Sequence, residues 1–574
     1  MLLKNNLYLE PSPYLQQHKD NPVHWQPWNK SMHSFAKANR KPILLSIGYS
    51  SCHWCHVMAH ESFEDEETAN LMNRYFLNIK VDREERPDID YVFQSSYQLF
   101  NQSGGGWPLT IFLDENAIPF MAGTYFPKIS SHGLPSFKEV ISKVGKTYIE
   151  QREEILKQSH IISKSLELKK SLVLNQDLES ILLSIMSSLD EVKGGYKGAP
   201  KFPIFNIYDV LLFFYNKTKK LDYLRPVELI LKQLCAQGIY DHVEGGISRY
   251  TVDENWLIPH FEKMLYDNAQ FVLLLSKYLR VEKNEYFQKK IIQTIDFINK
   301  NFTNPDNKLL GSAYDADSAG EEGKYYVFSY EELKKIKDIN QYFIVKPEGN
   351  WENKIILQEI KMPPETIILE LEKLRKEKIK PFFDNKIQLD LNCLWVSALI
   401  SVEKILPNNN FFKIAETFYK NLEITFFSKE KLQHTTLKSE VFLEDYAYSI
   451  DMFLDLYDQT LKPNYLFKAK ELCKNAIELF YIKEKMIFQK NIIATNDLFH
   501  KPIEISDGNI PNGNSVMLLN FSRLKMKNEA KELSNSLNGY LNVYKSLMAS
   551  AIKSIDYFNT VDTGQNCTKE GCLI

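Results

Sequence analysis

Short apolar runs alternate with segments of helical spacing through the first 130 or so residues. KPILLSIGY (41–49) is apolar and β-prone and ends in small residues, which predicts a strand. Cys55 to Phe76 then repeats its apolar positions at helical period among many Glu and Ala. YFLNIKVD supplies a second strand ending at Asp82, REERPD a polar turn, and Asp90 to Phe100 a second helix. Beyond Gly104 to Gly106, TIFLD and PFMAGTYF flank the turn Glu115-Asn116 and read as a hairpin. The predicted order is β-α-β-α-β-β.

The pattern changes near Ser136. A lysine- and glutamate-rich helical stretch runs to about Lys170, and helical periods continue almost to the end. Candidate helices cover 177–190, 206–217, 225–237, 260–280, 286–302, 364–378, 390–404, 410–426, 441–460, 464–480 and 513–524. Phe261, Met264, Leu265, Val272, Leu275 and Leu279 share one stripe, the mark of a face turned to a core. So many helices in succession predict paired helical hairpins. KYYVFS (324–329) reads as an inserted strand, and the glycine pairs Gly194-Gly195 and Gly245-Gly246 mark loops without setting a repeat period. The expected division is an α/β domain over 1–135, a helical linker over 136–175, an all-α domain over 176–560 and a polar tail over 561–574.

Composition narrows the function classes. At 574 residues a multidomain α/β plus all-α chain is expected. The 70 basic and 73 acidic residues nearly balance, with no block of like charge, which argues against a nucleic-acid partner. Apolar runs such as Val210 to Tyr215 are far short of a membrane span, and the opening MLLKNNLYLEPSPYLQQHKDN has no signal-like apolar core, so a cytoplasmic protein without a membrane partner is expected. Seven cysteines at irregular spacing do not form a disulfide framework, and only Cys52/Cys55 and Cys567/Cys572 are close in sequence.

In Ser51-Cys52-His53-Trp54-Cys55-His56 the spacing sets both sulfurs at the first turn of a helix that follows a strand. Free N–H groups and the helix dipole there stabilise a thiolate. Cys52 then attacks a disulfide, Cys55 resolves the mixed disulfide, and a protonated His53 stabilises the thiolate further. Gly106-Trp107-Pro108 precedes the strand Leu109 to Leu113. A proline at this place in thioredoxin-like domains is cis and lies opposite the cysteine pair. The expected catalytic set is therefore Cys52, Cys55, Pro108 and His53, acting on a protein disulfide or thiol without a cofactor. Three other readings stay open. The string is also a c-type haem attachment motif, which requires export. Cys52, Cys55 and His56, with His53 and His60 close by, form an alternative metal set that Cys567 and Cys572 would complete. The fold also accommodates such a pair without catalysis.

SPYLQQHKDNPVHWQPW, KPILLSIGYSSCHWCHVMAHESFED, VDREERPDID, GGWPLTIFLD and GTYFP, followed by GGYKGAPKFP, WLIPHFEKMLYDNAQ, YDADS with EGKYYVF, FLEDYA and PNGNSV, resemble the spermatogenesis-associated protein 20 group and its bacterial YyaL-type relatives nearly end to end. The resemblance implies a thioredoxin-like fold followed by an (α/α)6 toroid similar to that of N-acylglucosamine 2-epimerases and six-hairpin glycosidases. Two strings depart from the group's pattern. Ser248 in Glu244-Gly245-Gly246-Ile247-Ser248-Arg249-Tyr250 replaces a histidine, and Leu389-Asp390-Leu391-Asn392-Cys393 stands where relatives carry a TSWNG-like string.

A toroid opens a funnel at one rim, where clustered polar residues are candidates for a sugar-like ligand. Arg249, Trp256, His260, Glu262, Asp267, Asp315, Asp317, Glu444 and Asp445 make up that candidate set. Two carboxylates, or a histidine with one, suffice for glycosidic cleavage or for proton abstraction beside a carbonyl, and aromatic side chains stack on sugar faces. The leading expectation is a thiol–disulfide protein whose toroid binds a carbohydrate-like ligand. The rivals are an epimerase or glycosidase with a structural or regulatory thioredoxin-like part, and a binding module without turnover.

Overall fold

The computed structural model describes residues 4–131, 133–170, 177–428, 431–438 and 440–562. Cys567 and Cys572 lie outside the described residues. The chain forms two compact units, one of Met1–Lys169 with Leu437–Phe442 and Gln489–Ile503, the other of Lys170–Thr436, Leu443–Phe488 and Glu504–Ile574.

The first unit contains α1 (Lys30–Asn39), β1 (Ile43–Gly48), α2 (His53–Met58), α3 (Glu66–Tyr75), β2 (Leu77–Asp82), α4 (Pro87–Asn101), β3 (Leu109–Leu113), β4 (Pro119–Gly123), α5 (Phe137–Glu150) and α6 (Arg152–Ser165). Its sheet runs β2-β1-β3-β4, with β1 parallel to β2 and antiparallel to β3. Every residue of β1, β2 and β3 is buried, as expected of strands covered on both faces. The pleat sorts them. Ile43, Leu45, Ile47, Ile79 and Val81 join Ile89 and Phe93 of α4 in one core, whereas Ser46, Gly48, Lys80 and Asp82 point to the other face.

The predicted helix over 55–76 is two helices. A π turn over Ala59–Phe63 follows α2, and Asp65 caps α3 by accepting the Thr68 N–H at 3.0 Å. The helices within 136–175 belong to the first unit. Ser136 and Glu139 form a capping box at α5, Phe137 packs on Phe63 with ring centres 6.1 Å apart, and Arg152 pairs with Glu115. Segments distant in sequence complete this unit: Asp497 bonds Arg86 at 2.8 Å and the Trp28 indole N–H at 3.2 Å, and Asn491 donates to Asp88 at 3.1 Å.

In the second unit outer and inner helices alternate. They are α7 (Leu178–Met186), α8 (Phe205–Thr218), α9 (Leu221–Ala236), α10 (Leu265–Leu279), α11 (Glu285–Asn301), α12 (Glu365–Lys376), α13 (Leu389–Glu403), α14 (Phe411–Leu422), α15 (Leu443–Thr460), α16 (Pro463–Phe480), α17 (Gly513–Arg523), α18 (Lys527–Tyr544) and α19 (Ala549–Asp562). α8, α10, α13, α15, α17 and α19 each pack on the next, and α19 returns to α8, which closes a ring. α7, α9, α11, α14, α16 and α18 pack around it, and α12 lies in the long insertion between α11 and α13. This is an (α/α)6 toroid. Inner helices touch neighbours all round, so α13 is buried at every position from Leu389 to Val402.

Three details correct the sequence reading. The helix predicted from 260 starts at Leu265, because Phe261 takes φ +50° and Lys263–Met264 pairs with Ala313–Tyr314 as a short strand. KYYVFS is not a strand: Tyr326 and Val327 both donate to the Gly323 carbonyl in a turn, leaving a single bridge from Phe328 to Ile355. Two further helices beyond those the sequence predicts, outer α18 and inner α19, complete the toroid. Among the described residues no helix is long and apolar enough to cross a membrane.

Candidate functional site

In the first unit the end of β1 delivers the chain to Cys52, the N-cap of α2, whose Sγ accepts the Cys55 N–H at 3.2 Å. Cys52 and Cys55 are joined by a disulfide with Cα atoms 5.2 Å apart, so the sulfurs are bonded to each other and not set out as ligands with His56. The Trp107-Pro108 bond is cis, and the Ile47–Leu109 pairing puts Pro108 beside Gly48, just ahead of the cysteines. His53 opens α2 with its ring 5.6 Å from that of Trp54, which is 45% exposed and lies 5.1 Å from the Tyr125 ring. Trp107 is fixed by Asp90, which accepts its indole N–H at 2.9 Å, and by the Arg83 guanidinium 4.0 Å above its ring. Burial pushes the Asp90 carboxyl up, with Arg83 pulling against it.

Beneath the pair, a group that the sequence reading missed occupies the polar face of β1 and β2. Gly48 is required here: a Cβ would lie 2.8 Å from Cys55 Sγ and collide with the Tyr14 hydroxyl. Tyr14 is 1% exposed and its hydroxyl has no hydrogen-bond partner among the described residues, Ser46 lying beside it without bonding geometry. Burial, and Asp82 nearby, push this phenol above its ordinary value, so it keeps its proton. The Lys80 ammonium donates to Ser46 Oγ at 3.2 Å and lies 5.0, 4.7 and 4.6 Å from the ring centres of Tyr14, Trp25 and Phe63. Burial drives Lys80 well below the ordinary lysine value. Ser12 donates to Asp82 at 2.6 Å. The signal was present as Asn78, Lys80 and Asp82, alternate polar residues in an otherwise apolar strand.

In the toroid the first turns of inner helices share one rim, since an outer helix returns the chain between one inner helix and the next. Asp267 stands in the first turn of α10, and Glu444 and Asp445 in that of α15. Gln270 of α10 bonds the Asn509 carbonyl at 2.7 Å, and a Cβ on Gly513 would lie 3.0 Å from Glu444 Oε1, so α10 and α15 each meet the chain leading into α17. His434 Nδ1 lies 2.8 Å from Asp445 Oδ1, and Asp390, in the first turn of α13, completes a buried group with them. Burial pushes Asp390 up to about 7, with His434 opposing and Asp445 adding to the rise. The sequence reading took Asp390 only as part of a departed string and not as a site candidate, and did not single out His434. An Asp at the head of a helix with no other charged residue before Glu403 was the available signal.

The other toroid candidates have separate partners. Arg249 and Glu262 pair at 3.2 Å, both buried, and His260 pairs with Glu322 at 2.7 Å. Asp315 accepts the Asp317 N–H at 3.1 Å in a turn that leads to the strand pair Asp317–Ser318 and Glu321–Glu322. Trp256 corrects the expectation of a sugar-stacking ring. It is wholly buried, packs on Gly195 and donates to the Lys193 carbonyl at 2.7 Å.

Together these features define a class: a thioredoxin-like domain with a Cys-x-x-Cys pair, joined to an (α/α)6 toroid. Residues 4–167 match the family described as Thioredox_DsbH, protein of unknown function, DUF255. The chain is 30% identical over 588 residues to an uncharacterized protein of Caenorhabditis elegans, covering 91% of this chain and 80% of that one. It is also 30% identical over 596 residues to spermatogenesis-associated protein 20 of Rattus norvegicus, covering 91% and 75%. The chain belongs to the spermatogenesis-associated protein 20 family. Among solved structures, cellobiose 2-epimerase from Bacillus thermoamylovorans is similar at 13% identity and a TM-score of 0.43, over 64% of this chain and 86% of that one.

Proposed function

We propose that the chain is a cytoplasmic thiol–disulfide exchange protein acting through Cys52 and Cys55. The observation that carries this reading is the pair's position: a disulfide at the start of α2, beside a cis-proline, over a buried polar group. In the reducing direction the Cys52 thiolate attacks one sulfur of a partner disulfide and expels the other as a thiolate. Cys55, deprotonated, then attacks Cys52 Sγ, forms the Cys52–Cys55 disulfide and releases the second partner thiol, so two electrons pass to the partner. The first turn of α2 and a protonated His53 stabilise the Cys52 thiolate. The Tyr14 hydroxyl donates to Cys55 once the disulfide opens. Cys235, Cys393 and Cys473, by contrast, are buried free thiols; burial pushes all three up and keeps them unreactive. Turnover of a model disulfide substrate by the full chain, compared with Cys52→Ser, tests the reading; equal turnover would sink it.

A second reading concerns the toroid, where Asp267, Asp390, Glu444 and Asp445 stand in the first turns of helices around one rim. These carboxylates suit a polyhydroxylated, carbohydrate-like molecule, bound or transformed there. Saturation-transfer NMR with neutral disaccharides checks this, and binding unaffected by Asp267→Asn and Glu444→Gln would refute it.

A further inference from the structure

Three separate segments of the toroid bring Asp390, His434 and Asp445 together: the first turn of α13, the loop 431–438 and the first turn of α15. They are 6%, 4% and 0% exposed, and one ligand atom from each lies within 4.8 Å of the other two. Asp390 is the informative member. Its carboxylate accepts the N–H of Leu391 in its own helix at 2.8 Å, and no lysine, arginine or side-chain donor among the described residues bonds to it. Lys386, close in sequence, is taken by Asp384 at 3.1 Å. A carboxylate held away from water with no lysine or arginine bonded to it is costly, and the neighbouring His434 and the N-terminal dipole of α13 offset only part of that cost.

We propose that Asp390, His434 and Asp445 form a binding site for a divalent transition-metal ion of the Zn2+, Mn2+ or Fe2+ class. An imidazole with two carboxylates selects these ions over Ca2+ and Mg2+, which favour all-oxygen sets, and the two carboxylates balance the dication. Ligand atoms around an ion with bonds of about 2.1 Å sit roughly 3.0 to 3.4 Å apart. The His434–Asp445 pair, at 2.8 Å, is close to that spacing. The other spacings in the group, none above 4.8 Å, would shorten toward that range as the ion binds. Three protein ligands leave coordination positions open, so the ion would take water or an oxygen of a bound small molecule. The site is independent of the thiol–disulfide reading, since it uses neither cysteine.

The test uses the full chain, treated with chelator and kept oxidised so that reduced Cys52 and Cys55 do not compete for a thiophilic ion. Isothermal titration with Zn2+ and with Mn2+ is expected to show about one equivalent bound, and His434→Asn and Asp390→Asn each to weaken binding by about a hundredfold. Anomalous diffraction from crystals of the unaltered chain soaked in Mn2+ supplies a readout that needs no variant, with the peak expected among these three side chains. No stoichiometric binding, binding that both variants retain, or a peak elsewhere would overturn the proposal.

Discussion

The cysteine pair and the rim of the toroid are both polar groups at helix N-termini, yet they are built on different principles. The pair is local. One strand, one turn and one helix position Cys52 and Cys55, and a single strand register adds Pro108. The rim is assembled from segments far apart in sequence, with Asp390, His434 and Asp445 brought together when α13 and α15 pack and the loop 431–438 folds over their starts. The difference teaches where sequence reasoning reaches. Chemistry on a strand-turn-helix is readable from spacing, whereas chemistry on a ring depends on how each helix is rotated about its axis.

The largest effect expected from this contrast is at Cys52. Cys52→Ser should abolish thiol–disulfide turnover while leaving ligand or metal binding in the toroid intact, as read by a disulfide-reduction assay and by titration. Loss of both together would erase the distinction between the two regions. Next comes Asp241, which binds Arg375 at 2.5 Å and Lys263 at 2.7 Å in the interior of the toroid unit. Against the cost of burial, these two cations hold its carboxyl well below the usual carboxylate range. Asp241→Asn strands two buried cations and should cost about 3–5 kcal/mol in denaturant unfolding of the toroid, with no change in cysteine chemistry.

A third effect separates the regions by pH. Against burial, His242 at 3.2 Å and Lys290 at 2.8 Å hold Glu359 down at about 2 from its ordinary 4.5. A depressed folded value means that the stability is fully present above pH 4.5 and is lost as the pH falls toward 2. Acid unfolding of the toroid should therefore steepen across that window, and Glu359→Gln should remove the step. A wild-type profile that is flat from pH 4.5 to 2 would refute the pairing. The smallest effect is at Tyr14. Tyr14→Phe removes one donor to the Cys55 thiolate and should shift the disulfide equilibrium with glutathione about tenfold toward the oxidised form. A 13C label on the Tyr14 phenol carbon should report the same contact as a chemical-shift change on reduction.

Much of the first unit was legible because its strands are apolar runs with sharp ends; β1, β2 and the β3–β4 hairpin lie within a few residues of their predicted places. The polar face beneath the cysteines was written in LNIKVD, but Lys80 and Asp82 read as ordinary strand polarity until the pleat set them under Gly48. Its completion by Gln489–Ile503 was not legible, since nothing local in that segment points to Arg86 or Trp28. In the toroid, α10 was placed too early because Phe261 and Met264 fit the apolar stripe by chance of spacing, although Phe261 has a left-handed backbone. α18 and α19 escaped prediction because buried Ser534, Ser536 and Ser554 blur their periods. Trp256 illustrates the limit for single residues, since an aromatic beside a glycine loop reads alike as a ligand platform and as a buried wedge.

The most direct test of the central claim is a redox titration of Cys52 and Cys55 in the intact chain against glutathione or dithiothreitol buffers, with thiols counted by alkylation and mass spectrometry. The account predicts a single, reversible two-electron transition confined to this pair, absent in Cys52→Ser. A pair that fails to reduce, or that reduces and does not reoxidise in the presence of a partner disulfide, would contradict it.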